Sequence, residues 1–319
     1  MSETNGNGVP LSTRLGTWQA RLIARSVAKG LPRPRKGGGP RNFDGRWLSW
    51  KLVPNAVAEH LEVTLHHEPC NEIGTTALAE IEKLAALLTG GAADARAMIV
   101  HSSVERGFSA GADLRELHAN LIAKYEDAGR GLRNKLAIAT EIRGFIDRIH
   151  AAFDAIDTAP ITTIAVTHGF VFGGGFELAL TQDVIVAEKS TRFAFPELRL
   201  GLVPGFGGIP RLKRDLGNAV VRDLLLTGRS INAKRAHEVG LVSQVVARGA
   251  GLDVARKVAE QASRFDAQTT ALAKRFTKPL PREELEREKD LFIEMMGSPV
   301  VEAALTKFVQ SDDVRPYLP

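Results

Sequence analysis

Glu177 follows a stretch able to hold a carboxylate beside exposed backbone. Upstream of Glu177, Gly173-Gly174-Gly175 joins a β-branched run at residues 161–167 to the helix-forming Phe176-Glu177-Leu178-Ala179-Leu180. The run reads as a buried strand, and His168-Gly169 turns the chain after it. Glycine has no Cβ, so a ligand oxygen can come close to the main-chain N–H groups. Those groups belong to the first turn of a helix, where they lack intrahelical acceptors and where the helix dipole favours negative charge. Glu177 sits in the same turn. A carboxylate beside a backbone anion site is what proton transfer next to a developing oxyanion requires. Taken alone, it is also the ordinary composition of a helix start.

Two further stretches change that reading. Phe108-Ser109-Ala110-Gly111-Ala112-Asp113-Leu114 comes after another strand-like run at residues 97–101. Downstream, Phe195-Pro196-Glu197-Leu198-Arg199-Leu200-Gly201-Leu202-Val203-Pro204-Gly205 carries the second glutamate. SAGADL, then GGGFELAL, then PE-x-x-x-G-x-x-P-G, in this order, resembles the crotonase (enoyl-CoA hydratase/isomerase) family. The likeness covers residues 61–246 and continues more weakly to the C-terminus. It is more specific for the fold than for the reaction, because the family hosts several.

The resemblance implies a substrate and a division of labour. An acyl-CoA thioester reacts at C2 or C3 only if charge can collect on its carbonyl oxygen, which needs two fixed donors. By the resemblance these are the backbone N–H groups of Ala112 and Gly174, with Ala110, Gly111, Gly173 and Gly175 leaving room for the thioester. Asp113 is expected at the substrate and CoA surface, the bland alternative being a cap for the helix that follows. Cys70, Leu114, Leu117, Phe172 and Phe206 are expected to complete the substrate and CoA surface. Glu177 and Glu197 stand where hydratases of the family carry two glutamates around one water. The activity implied is enoyl-CoA hydration, with no metal and no cofactor beyond the coenzyme A of the substrate.

The departures sort the alternatives. Δ3,Δ2-enoyl-CoA isomerases usually keep only the downstream glutamate, and dienoyl-CoA isomerases carry aspartates where Glu177 and Pro204 stand. A thioesterase uses the same pocket if an activated water attacks the carbonyl carbon instead. From a different class, the basic extension suits a moonlighting protein that binds nucleic acid or another acidic surface.

The elements that must position these groups read as an alternating α/β pattern. Strands are expected at residues 47–53 and 61–66, joined through Pro54-Asn55, and at 97–101; a helix is expected at 76–88. Ile138, Ile142, Phe145, Ile149, Phe153 and Ile156 recur at steps of three or four, which predicts a long amphipathic helix. Residues 117–131 before it are extra length beside the site, readable as a lid or as surface ornament. Helices are expected at 209–216, 219–226 and 252–265, with a helical tail from 269 broken at 278–281 and 297–299. By the resemblance the fold is a crotonase-like spiral of ββα units, and the tail packs on neighbouring subunits of a homotrimer or a dimer of trimers. The domains assigned are a basic extension at 1–45, a core at 46–265 and a helical region at 266–319. Asp183 and the histidines at 66, 67, 101, 118, 150, 168 and 237 are assigned core or surface roles.

Composition limits what else the chain does. A single cysteine, Cys70, excludes an intrachain disulfide and a cysteine-rich metal site. No apolar run approaches the ~20 residues that span a bilayer. The net charge of +5 is concentrated: eight of the 42 Lys and Arg residues but only two of the 37 acids precede residue 46, leaving 34 bases against 35 acids. The high pI therefore belongs to the extension, where Leu11, Leu15, Trp18 and Leu22 recur at helical spacing among arginines. Such a segment docks on the body or meets an acidic surface. Its Arg-rich start has the composition of a mitochondrial transit peptide, but Glu3 and the Asn/Gly opening argue for the cytoplasm.

Overall fold

The computed structural model describes residues 40–90, 95–129 and 131–311. The basic helix expected at residues 11–22 lies outside the described residues. In chain order the first half holds β1 (Asn42–Asp44), β2 (Leu48–Pro54), β3 (Glu59–Leu65), α1 (Thr75–Thr89), β4 (Ala95–Ser102), β5 (Gly107–Ser109), α2 (Leu114–Ala128) and α3 (Leu132–Asp157). Next come β6 (Thr162–Thr167), β7 (Phe170–Phe172), α4 (Gly174–Leu180), β8 (Val184–Glu188), β9 (Arg192–Ala194) and a 3-10 turn, Glu197–Leu200. The rest is α5 (Gly208–Leu216), α6 (Asn218–Thr227), β10 (Ile231–Asn232), α7 (Ala233–Glu238), β11 (Gln244–Val246), α8 (Gly251–Ser263), α9 (Ala267–Thr277), α10 (Arg282–Met296) and α11 (Pro299–Gln310).

The larger sheet has the order β1-β2-β3-β4-β6-β8-β11. It starts as the expected hairpin: Asn55 Oδ1 accepts the N–H groups of Val57 and Ala58 and turns β2 into β3. β1 pairs with β2, and Phe43 stacks on Trp50. The last residues assigned to the extension are thus an edge strand of the body. From β3 onward the pairing is parallel. Its central strands are buried on both faces, which is why β6 reads TTIAVT without alternation.

Asp183 meets the structural role assigned to it. Its carboxylate accepts the N–H of Thr163 and pairs with Lys274 and Lys278, pinning α9 to the start of β6.

One expectation needs correction. Residues 117–128 are helix rather than a loop lid: Asp113 accepts the N–H of Glu116 and caps α2, which runs to Ala128. The cap residue at the end of SAGADL starts a helix that absorbs most of the extra length. The tail also lies on its own chain. Phe292 of α10 fills the space above Gly205, and Val300 and Val301 of α11 fill that above Gly201. Residues 282–310 therefore cover the loops of their own site.

Candidate active site

A second sheet, β10-β9-β7-β5, is short and does the gathering. β5, β7 and β9 run parallel, with Ser109 beside Val171 and Phe172 beside Ala194. Parallel neighbours end at the same edge. The chain therefore leaves all three strands at one place, through residues 110–113, 173–175 and 196–197. Three motifs far apart in sequence become neighbours because each follows one strand of this sheet.

At that edge two backbone donors are left over. Ile73 bridges Ala112 in parallel: its N–H donates to Gly111 O at 2.8 Å, and Asp113 N–H donates to Ile73 O at 3.1 Å. That pattern uses the residues flanking Ala112, so the N–H of Ala112 faces away from Ile73. Gly174 opens α4 and has no intrahelical acceptor. Neither N–H donates to another protein group among the described residues. Their backbones lie close, for a Cβ built on Gly174 would stand 3.4 Å from Ala112 N. Gly111 and Gly173 have φ of 101° and 47°, the left-handed region that glycine enters without strain.

The other expected residues divide into those at the edge and those that support it. The Phe206 ring lies over Gly174, 2.7 Å from where a Cβ would be, and so borders the leftover donors. Gly175 instead lets α4 pack on β5, since a Cβ there would meet Ser109 Cβ at 2.6 Å. Leu114 and Phe172 are buried, and Leu117 is partly buried against the core. Cys70 contributes its carbonyl, which accepts the N–H of Ala110 at 2.9 Å. Its half-buried thiol is pushed up, first by burial and then by Glu72.

Glu177 is buried and held on one side. Its Oε1 accepts the N–H groups of Phe206 and Gly208, each at 2.8 Å. Burial lifts its carboxyl to about 7, against the pull of those N–H groups and of Arg211. Glu197 has less support. The residue is half-buried overall, but its carboxyl is the enclosed end: Oε2 is buried and has no hydrogen-bond partner among the described residues. A Cβ on Gly173 would stand 2.6 Å from its Oε1, so the carboxyl lies directly against the glycine turn. Burial, and secondly the charge of Glu177, push Glu197 well above the usual carboxylate range. Both carboxyls are thus raised, and Glu197 is the less supported of the two: among the described residues no N–H from outside its own turn donates to it.

Two supporting residues, Asn71 and Glu288, escaped the sequence reading, and a third, His150, fills the core role assigned to it. Asn71, buried with φ of 51°, donates to Phe108 O and Ser102 Oγ and accepts the N–H of His67, which fixes the chain before SAGADL. His150 is buried, and its Nε2 lies 2.9 Å from Gly205 O. Burial lowers its pKa to about 3, so the ring is neutral and carries its proton on Nε2 as donor. Glu288 accepts the N–H groups of Gly207 at 2.6 Å and Ile209 at 2.9 Å. The signal for Glu288 was available: it falls on the buried stripe of α10 with Leu285, Phe292 and Met296, where a charge has no solvation reason to be.

This geometry agrees with what the chain is similar to. The profile of the enoyl-CoA hydratase/isomerase family matches residues 56–314. The chain belongs to this family. A probable enoyl-CoA hydratase of Rhizobium meliloti is 33% identical over 213 residues, 66% of this chain and 75% of that protein. A carnitinyl-CoA dehydratase of Citrobacter koseri is 37% identical over 201 residues, 63% of this chain and 70% of that protein. Among solved structures, an enoyl-CoA hydratase from Bacillus halodurans superposes with a TM-score of 0.68 at 20% identity, covering 81% of this chain and 99% of the other. At that identity the likeness shows the fold, here the crotonase fold: a parallel sheet with C-terminal helices. Its family relatives carry differing reaction names. No helix among the described residues is long and apolar enough to cross a membrane.

Proposed function

We propose that this chain is an enoyl-CoA hydratase, adding water across the C2=C3 bond of a 2-enoyl-CoA thioester. The thioester oxygen accepts the N–H groups of Ala112 and Gly174. Glu177, as carboxylate, takes a proton from water as the water oxygen bonds to C3. The C2=C3 electron pair shifts toward the thioester, leaving charge on the oxygen between the two donors. Glu197, as acid, gives its proton to C2 as that charge returns. A proton passing from Glu177 to Glu197 restores the starting state. Ala110, Gly111, Gly173 and Phe206 border the thioester, and no cofactor beyond the coenzyme A of the substrate takes part.

The observation that carries this reading is the unequal support of the two glutamates. One is held by two N–H groups and the other has an unpaired buried oxygen, so a base and an acid coexist at one pH. A panel of 2-enoyl-CoA thioesters, scored separately for loss of the conjugated double bond and for free thiol, tests it. Hydration without thiol release is the expected result. Thiol release would make the chain a thioesterase, and silence across chain lengths would favour a binding protein. The homo-oligomer implied by the resemblance fits the exposed Leu272 and Phe276 of α9, a face that a second copy would cover.

A further inference from the structure

The loop at residues 206–209 holds its four N–H groups in alternation between two buried carboxylates. Phe206 and Gly208 donate to Glu177, while Gly207 and Ile209 donate to Glu288. Gly207 is the N-cap of α5 and Pro210 at its third position has no N–H, so the helix start leaves no donor without a partner. The alternation depends on Gly207, whose φ of 96° lies in the left-handed region. The carbonyls of Phe206 and Gly207 accept from Arg211, which is itself fully buried and paired with Asp154 and Asp157. The loop thus has its carbonyls fixed from one side and its N–H groups shared between a reacting carboxylate and one contributed by α10.

We propose that Glu288 is a positioning residue for Glu177, clamping residues 207 and 209 so that the N–H groups of 206 and 208 hold Oε1 of Glu177 in place. This rests on the hydratase reading for its kinetic consequence, but the clamp itself does not. Glu288 comes from α10, so the C-terminal region takes part in aiming the base. Without Glu288, one buried and one half-buried N–H lose their acceptors, and the loop can turn to recover them elsewhere. Glu177 then loses the fixed donors that orient it.

The test compares the full chain with its Glu288→Gln and Glu288→Asp variants. Glutamine keeps one acceptor oxygen and replaces the other with an N–H₂ that cannot accept. The expected result is a fall in kcat of roughly 10- to 100-fold with KM little changed, the scale for a misplaced catalytic group. Aspartate keeps both acceptors on a shorter stem and should recover part of the loss. Amide hydrogen exchange is the second readout: in Glu288→Gln, Phe206 and Gly208 should exchange faster although neither bonds to Glu288. Wild-type kcat together with unchanged protection at 206 and 208 overturns the proposal, as does a rise in KM alone. If Glu288→Gln does not fold, Glu288→Asp carries both measurements. If the wild-type chain hydrates no enoyl-CoA, the hydratase reading falls, while the exchange rates still decide the clamp.

Discussion

Glu197 lies against the glycine turn that begins the helix bearing Glu177, and the two carboxyls are stabilised to different degrees. Oε1 of Glu177 has two N–H donors; Oε2 of Glu197 is buried with none. Two carboxyls sharing a small volume do not ionise together, and the one with fewer donors keeps the proton. On the proposed hydratase reading, the division into base and acid follows from backbone placement.

Replacing either glutamate with glutamine preserves shape and removes the proton-transfer group. Glu177→Gln and Glu197→Gln should each lower hydration by roughly 10²–10⁴-fold, the usual range for acid/base groups. The double variant should be far less than multiplicatively worse, since both act in one proton-transfer sequence. Near-full hydration by Glu177→Gln would remove the assigned base and revive an isomerase.

The same carboxyls should make stability depend on pH. Both are raised in the folded chain, so the native state binds their protons more tightly than the unfolded chain does. Their contribution is most favourable below the unfolded value and is lost as pH rises, toward about 7 for Glu177 and through the raised range of Glu197. Glu177→Gln should therefore gain melting temperature relative to wild type between pH 5 and pH 8. Melting curves that stay parallel across that range would contradict the raised carboxyl.

Gly174→Pro tests the donor itself. Proline suits the first position of a helix, so α4 can still form, but the N–H is gone and the ring meets Phe206. Turnover should be abolished with the far-UV circular dichroism retained. A folded, active Gly174→Pro protein would sink the oxyanion assignment.

Asp157 is expected to matter for stability rather than chemistry. It is buried and pairs with Arg211, Arg214 and Lys278. These cations outweigh burial, which alone would raise it, and hold its carboxyl at about 2. Its contribution is present above the unfolded value and lost as pH falls toward 2. Asp157→Ala leaves buried cations with one acid fewer, which should cost about 3–5 kcal/mol in denaturant unfolding. A loss under about 1 kcal/mol, the range of a surface pair, would show the network to be solvated.

The sequence by itself determined the helices with a clear apolar period and the strands with continuous β-branched runs. Residues 138–156 announced α3 and residues 161–167 announced β6, because burial on one stripe or on both faces leaves a repeating mark. It also determined which glycines and glutamates stand where the family's motifs need them. The small sheet was not legible. β5, β7 and β9 are three residues each, too short for any period to register, and only their parallel pairing brings SAGADL, GGGFE and Glu197 to one edge. The same holds for which N–H groups are left over at Ala112 and Gly174, and for the alternation of residues 206–209 between Glu177 and Glu288. Hydrogen-bond partners across 81 residues of chain, as between Gly207 and Glu288, have no local signature. Local sequence fixes which donors and acids exist; tertiary packing decides which of them remain unpaired, and those are the groups available for chemistry.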